Sequence, residues 1–241
     1  MIATLPMYDW PEIRAAHDEF WQGLAQHLRG QGLEPPQSLT HPQDHKQAWH
    51  EPELFLSQTC GYPLTHQFKG RLALIGTPEY DVPGTKGHLY SSFIFARTEK
   101  PQIAAVNDED SMSGMLALKL FAGQFPQTLI TGGHVHSLEA LQQARADICA
   151  IDAICVELAR RYRPQLLHGL KCLGTSPLVP GLPFVTSLSN QYKIPAMQRA
   201  LQSCMLDPSL AQARSAMLLK GFCASLPSEY DRILELERQI P

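Results

Sequence analysis

Two serines near the middle of the chain have the spacing of an anion site. An apolar run of strand type, residues 103–106, precedes them, and a helix-forming segment begins directly after them. Asp110 or Ser111 can cap that helix by accepting hydrogen bonds from the N–H groups of its first turn. The hydroxyls of Ser111 and Ser113 and the N–H groups of Met112 to Gly114 would then point out of the helix N-terminus, where the helix dipole favours negative charge. The stretch therefore predicts an ordinary helix cap or an anion site.

Other side chains able to bind a ligand follow further predicted strands. In an open α/β sheet, ligands bind beyond the carboxyl ends of the strands. Phenol, imidazole and carboxylate side chains occur at such positions, namely Tyr8, Tyr62, Tyr90, His134 and Asp152. A structural role is the alternative at three of them: Tyr90 could pack in the core, His134 could bond a carbonyl, and Asp152 could cap a helix.

The same residues give little support for a metal site or a nucleophile. His134 and His136 have the spacing of a metal-binding pair, but no third ligand accompanies them, so we predict no metal. Cys60 would need a base to act as a nucleophile, and His66 is the sole candidate near it in sequence. We predict no catalytic residue and no cofactor.

The pattern of strands and helices places these residues in an α/β fold. Strand patterns cover 2–7, 54–58, 71–76, 103–106, 128–131 and 147–151, and helical patterns cover 10–28, 137–144, 152–161, 194–206, 209–219 and 229–239. This alternation predicts mainly parallel sheets with flanking helices. We expect two lobes, formed by residues 1–92 with 176–241 and by residues 93–175, joined by two extended crossover segments.

Composition excludes several classes of partner. The chain has 241 residues, 44% hydrophobic and 18% charged, with a formal net charge of −3, so nothing favours nucleic acid or an anionic membrane surface. No apolar run approaches the roughly 20 residues that span a bilayer, so we predict no membrane insertion. Six cysteines without CxxC spacing are expected to be reduced. The first residues lack an export signal, which predicts a cytoplasmic location, or a periplasmic one if a leader has been removed.

Five segments taken together resemble one protein family. They are residues 88–92, 110–114, 132–134, 146–152 and 174–177. In this order and spacing they resemble the phosphonate and phosphate substrate-binding proteins of ABC transporters, over about residues 50 to 190. The resemblance implies a type II periplasmic-binding-protein fold, whose two lobes close on an oxyanion in the cleft between them.

The resemblance also implies roles for individual residues. In that family a Ser-x-Ser helix start, a histidine after a Gly-Gly turn and a crossover tyrosine hold the oxyanion. Here these are Ser111, Met112, Ser113, His134 and Tyr90. Met112 stands where the family often has serine or threonine, so one hydroxyl is missing and only the backbone N–H of Met112 can contribute.

Three further residues complete the predicted ligand set. Asp152 matches a position where the family uses a carboxylate near a ligand's amino group, and Tyr62 and Tyr8 would line the cleft from the first lobe. The resemblance implies a non-catalytic solute-binding protein that clamps a small anion such as phosphate or a phosphonate, with an ABC permease as its partner.

Two alternatives on the same fold stay open. One is a cytoplasmic enzyme similar to those of the alternative menaquinone pathway, which would act on a small carboxylate with His134 or Asp152 as general acid or base. The other is a cytoplasmic sensor that responds to a bound metabolite without transporting it.

Overall fold

The chain folds into two compact units. The computed structural model describes residues 1–42 and 44–240. The first unit comprises Met1–Asp81 and Pro180–Glu229, and the second comprises Val82–Val179 and Tyr230–Pro241. Residues 82–92, 176–179 and 230–240 thus belong to the second unit, whereas the sequence pattern placed them in the first lobe.

Strands and helices alternate through much of the chain. The strands are β1 (Ile2–Ala3), β2 (Leu54–Gln58), β3 (Leu72–Tyr80), β4 (Thr85–Lys86), β5 (Leu89–Tyr90), β6 (Ser92–Ala96), β7 (Ile103–Val106), β8 (Gln127–Ile130), β9 (Ile148–Asp152), β10 (Lys171–Thr175), β11 (Val179–Pro180), β12 (Phe184–Ser187) and β13 (Leu219–Cys223). The α-helices are α1 (Arg14–Gly30), α2 (His45–Trp49), α3 (Gly61–Thr65), α4 (Ala117–Ala122), α5 (His134–Gln142), α6 (Ala153–Tyr162), α7 (Ile194–Leu206), α8 (Ala211–Ala216) and α9 (Asp231–Glu237). Among the described residues, none of these helices has the length and hydropathy needed to cross a membrane.

The first unit is built on a five-stranded sheet with the order β1-β2-β12-β3-β13. β1 is parallel to β2, while β12 and β13 run antiparallel to their neighbours, so three of the five strands share one direction. All five residues of β2 are buried, and the first three of them, Leu54 to Leu56, are apolar. α1 packs against α7 and α8 through a stripe of fully buried side chains, namely Phe20, Trp21, Leu24 and Leu28.

The second unit is built on a five-stranded sheet with the order β10-β6-β9-β7-β8. β7, β8 and β9 are mutually parallel, β6 is antiparallel to β9, and β10 is antiparallel to β6. Four of the five strands therefore run in one direction, and the predicted α/β class with mainly parallel strands is confirmed. Aliphatic side chains of β6, β7 and β9 pack against Ala117 and Leu118 to form the core of this unit.

Several element boundaries differ from the sequence pattern, as three examples show. β1 is limited to Ile2–Ala3, and α5 begins at His134, three residues earlier than predicted. α8 ends at Ala216, and β13 follows where the pattern predicted helix up to residue 219. The reason is local, because Leu218 has a φ of 61°, in the left-handed region where a right-handed helix cannot continue.

Asp147 fixes the position of β9 in its sheet. Its Oδ2 accepts hydrogen bonds from the backbone N–H groups of Gln102 and Ile103, at 2.9 and 3.1 Å, and its Oδ1 accepts one from Arg97 at 2.9 Å. These bonds hold the pKa of the Asp147 carboxyl below its usual value, and the bond from the N–H of Gln102 lowers it most. The strand anchored in this way carries Asp152 at its carboxyl end.

His41 bridges two carboxylates in the first unit. Its Nδ1 lies 2.8 Å from Asp9 Oδ2 and its Nε2 lies 3.0 Å from Asp18 Oδ1, while Arg14 Nε donates to Asp9 Oδ1 at 3.1 Å. A histidine can donate from both ring nitrogens only as the imidazolium cation. Although burial favours the neutral ring, the hydrogen bonds to Asp9 and Asp18 outweigh it and raise the pKa of His41.

This bridge predicts a pH-dependent contribution to stability. Because the folded pKa lies above the unfolded value of 6.5, the contribution is fully present below that pH and is lost as the pH rises through the folded pKa. We expect His41→Gln to lower the free energy of unfolding in mildly acidic buffer, and the deficit to shrink as the buffer becomes alkaline. Urea denaturation followed by circular dichroism at several pH values measures this deficit. A deficit that stays constant with pH would contradict the role of the imidazolium.

Candidate functional site

A widened helical turn begins at the serine pair. Ser111 has extended backbone angles (φ −118°, ψ 125°) and caps the helix, since its Oγ accepts a hydrogen bond from the N–H of Gly114 at 3.0 Å. Met112–Leu116 form a π turn, in which Leu116 N–H donates to the carbonyl of Ser111 at 2.9 Å. The helix continues directly as α4. Ser111, the second of the two predicted candidates, is thus the cap.

The cap decides which backbone donors are left for a ligand. The N–H of Gly114 is used by Ser111 Oγ, so it cannot serve an anion as the sequence led us to expect. The N–H groups of Met112 and Ser113 belong to the first turn and have no acceptor within the helix. The Met112 side chain is buried, with 1% of its surface exposed, so only its backbone can contribute.

Gly114 leaves room for the side chain of Asn107. A Cβ atom at position 114 would collide with Asn107 Oδ1, and it would lie only 3.3 Å from Ser111 Oγ. Asn107 follows β7 directly, and its carbonyl accepts a hydrogen bond from the N–H of Gly132 at 3.0 Å. The backbone of Asn107 therefore connects the serine segment to the Gly-Gly-His turn after β8.

Three of the predicted ligand residues meet at the carboxyl ends of parallel strands. Ser113 follows β7, His134 follows β8 and Asp152 ends β9, which brings them to one edge of the sheet. His134 Nε2 lies 2.9 Å from Ser113 Oγ and 3.2 Å from Asp152 Oδ2. Ser111 Oγ lies 3.5 Å from Ser113 Oγ, so the four residues form a continuous polar cluster. We call Ser111, Ser113, His134 and Asp152 the serine–histidine cluster.

Asp152 holds the histidine and starts a helix at the same time. Its Oδ1 accepts hydrogen bonds from the N–H groups of Ile154 and Cys155, both at 2.9 Å, which caps α6. Its Oδ2 faces His134 Nε2, and the carboxylate is buried. Asp152 is thus the helix cap that was its structural alternative, and it also contacts the predicted site residue His134.

Burial keeps His134 neutral. It lowers the pKa of His134, while the Asp152 carboxylate and the backbone carbonyl of Ala150 oppose that shift without reversing it. A neutral imidazole carries one N–H, and the ionised Asp152 can only accept, so the hydrogen belongs on Nε2. The hydroxyl hydrogen of Ser113 is then left to donate elsewhere, because the nearby nitrogen is itself a donor.

This arrangement differs from a catalytic Ser-His-Asp triad. In such a triad the histidine contacts serine through one ring nitrogen and aspartate through the other, so that it can take the serine proton. Here both Ser113 and Asp152 approach the same atom, Nε2 of His134. The histidine has no free lone pair toward Ser113, and the geometry does not activate that hydroxyl as a nucleophile.

The three predicted tyrosines lie in separate surroundings. Tyr90 is buried in β5 of the second unit. In the first unit, Tyr8 has a φ of 67° and packs edge-to-face on Tyr80 at 5.6 Å, while Tyr62 stacks on His66 at 3.9 Å. Their contact with a ligand stays a prediction.

The buried thiols near the site are inert. Cys149 in β9 and Cys155 in α6 are buried, and burial raises the pKa of both. A thiol that stays protonated is a poor nucleophile and packs as a small apolar group.

Solved structures share the fold of this chain. No protein-family model and no curated protein matches the chain. A Xanthomonas citri protein bound to chloride is similar over 100% of this chain and 96% of its own, with a TM-score of 0.76 and 13% identity. A binding-protein component of an ABC phosphonate transporter from Pseudomonas aeruginosa is similar over 98% and 85%, with a TM-score of 0.74 and 15% identity.

A third structure adds a bound phosphonate. PhnD1 from Prochlorococcus marinus, in complex with methylphosphonate, is similar over 99% of this chain and 97% of its own, with a TM-score of 0.72 and 14% identity. At these identities the likeness establishes the architecture alone. The fold that the motifs resembled is confirmed: this chain has the α/β fold of the type II periplasmic binding proteins.

Proposed function

We propose that the chain is a non-catalytic solute-binding protein that holds a small oxyanion at the serine–histidine cluster. The observation that carries the proposal is the convergence of neutral donors at one helix start. These donors are the N–H groups of Met112 and Ser113 and the hydroxyls of Ser111 and Ser113. Hydrogen bonds from such groups to an anion are shorter and stronger than those between neutral groups.

The charges around the cluster suit an anion held by neutral donors. Among the described residues, no lysine or arginine hydrogen-bonds to Ser111, Ser113, His134 or Asp152. The negative charge of Asp152 is offset by three donors, namely His134 Nε2 and the N–H groups of Ile154 and Cys155. Asp152 therefore positions His134 without leaving an unpaired charge beside the anion.

Phosphate or a phosphonate is the ligand class that we infer. Hydroxyl and N–H donors at a helix N-terminus match the oxygens of a tetrahedral oxyanion. The methylphosphonate complex of PhnD1 and the phosphonate transporter component from Pseudomonas aeruginosa, both with this fold, support the inference. An ABC permease would be the partner of a protein with this function.

Binding to the purified chain tests the proposal. The protein is unfolded, dialysed and refolded to remove any ligand, and then titrated with methylphosphonate and with inorganic phosphate by calorimetry. We expect Ser113→Ala to weaken binding by about 1.5–3 kcal/mol, or about 10- to 160-fold, because one charge-assisted hydrogen bond is lost. Ser113 does not cap the helix, so its removal should lower the stability by no more than the loss of its hydrogen bond to His134, about 0.5–1.5 kcal/mol.

Ser203→Ala is the matched control, since Ser203 is an exposed serine of α7 in the first unit. It should bind both ligands as wild type does. Equal affinities of wild type and Ser113→Ala would reject the serine–histidine cluster as the site. Failure of the refolded wild type to bind either oxyanion would reject the ligand class.

A further inference from the structure

Asn107 carries a buried polar atom without a partner next to the serine–histidine cluster. Its Oδ1 is inaccessible to solvent and accepts no hydrogen bond from the residues that the structure describes. Its amide nitrogen donates to no described residue either, although the side chain is half-buried. A buried polar group of this kind costs free energy unless something satisfies it, and such groups in folded proteins call for an explanation.

The position of the Asn107 side chain supplies such an explanation. Asn107 lies against the first turn of the helix, in contact with Gly114 and beside Ser111. Its carbonyl accepts the N–H of Gly132, which precedes Gly133 and His134. The carboxamide is therefore held close to both backbone segments that supply the serine–histidine cluster, and glycine at position 114 is what allows it to lie there.

We infer that Asn107 is a further ligand-binding residue, whose carboxamide donates a hydrogen bond to an oxygen of the bound anion. The inference rests on the proposed function and adds a donor to it. Rotation of the carboxamide by 180° exchanges its oxygen and nitrogen with little change in shape, so the group can present N–H to a ligand. After this rotation the amide nitrogen, rather than an oxygen that no described residue satisfies, faces the anion and donates to it.

A specificity follows from this role. The side chain is uncharged, so it adds a donor for an anion without a cation. An aspartate at position 107 would have the same shape, but it would place a negative charge where the amide donates. Asn107→Asp therefore distinguishes a ligand of negative charge from one that carries a positive charge toward this position.

Calorimetry with methylphosphonate on refolded protein tests the inference. We expect Asn107→Ala to weaken binding about tenfold, through loss of one hydrogen bond, and Asn107→Asp to weaken it more than 100-fold, through repulsion. The melting temperature of Asn107→Ala should equal or exceed that of wild type, because the side chain makes no hydrogen bond to a described residue whose loss would destabilise the fold. If Asn107 merely held the loop, its replacement by alanine would lower the melting temperature.

The controls separate this inference from the proposed function. Glu109→Gln changes the charge by one unit in the same exposed loop and should alter affinity less than threefold, which excludes a general charge effect. If Ser113→Ala weakens binding and both Asn107 variants bind as wild type does, the role of Asn107 is overturned while the proposed function stands. Tighter binding by Asn107→Asp would also overturn it. If neither Ser113→Ala nor the Asn107 variants change affinity, the proposed site itself is wrong.

Discussion

Asp152→Ala is expected to lower the free energy of unfolding by about 1.5–5 kcal/mol, the combined cost of a lost helix cap and of a buried N–H left without an acceptor. The substitution leaves buried His134 without its carboxylate acceptor and leaves the N–H groups of Ile154 and Cys155 uncapped. Loss of a helix cap alone accounts for about 0.5–2 kcal/mol of such a change. Urea denaturation followed by circular dichroism measures the total, and amide hydrogen exchange of α6 locates it.

Asp152→Asn is the matched control. The amide oxygen can still cap α6, but the group no longer carries the charge that faces His134. We expect a smaller loss, about 1–3 kcal/mol. If Asp152→Ala stayed within about 1 kcal/mol of wild type, the bonds from Asp152 to His134 and α6 would not matter for stability, contrary to our account.

Acid should destabilise the first unit through His17. This residue is 2% exposed on α1, and burial lowers its pKa from 6.5 to about 4, with Asp9 partly opposing the shift. Because the folded pKa is depressed, the unfolded chain binds the proton first, and stability is lost as the pH falls from 6.5 to about 4. The difference of 2.5 pKa units corresponds to about 3 kcal/mol.

His17→Gln isolates this effect. The variant keeps a polar side chain of similar size but cannot take up the proton, so its stability should fall less than that of wild type over the same pH interval. Acid-sensitive groups away from His17 affect both proteins equally, so the difference between their urea denaturation curves at each pH reports His17 together with its electrostatic coupling to Asp9 and His41. Parallel pH profiles would show that His17 does not titrate as its burial implies.

The central strand and helix units could be read from sequence because their apolar patterns are local. The strands β7, β8 and β9 lie within one residue of the predicted ranges 103–106, 128–131 and 147–151. Since these strands are parallel, the rule that ligands bind at carboxyl ends grouped Ser113, His134 and Asp152 correctly in space. Their role in binding stays a prediction.

The remaining features depend on contacts that no local pattern records. The strand β13 follows a left-handed residue, Leu218, within a run whose spacing suits a helix. Ser113 and Asp152 both approach Nε2 of His134 because of the way these side chains are oriented, which the sequence does not reveal. That no described residue satisfies Asn107 Oδ1 shows only once its neighbours are in place, and the residue type of Asn107 alone predicts a turn.

The π turn that follows Ser111 has a consequence for sequence comparison. Such a turn contains one residue more than an α turn. Ala117 and Leu118 therefore face the sheet because of that additional residue, since in an uninterrupted helix each would be rotated by about 100°. A protein of this fold that begins the same helix with an α turn should be one residue shorter here. An ungapped alignment that superposes the two serines would then misplace every core position of α4.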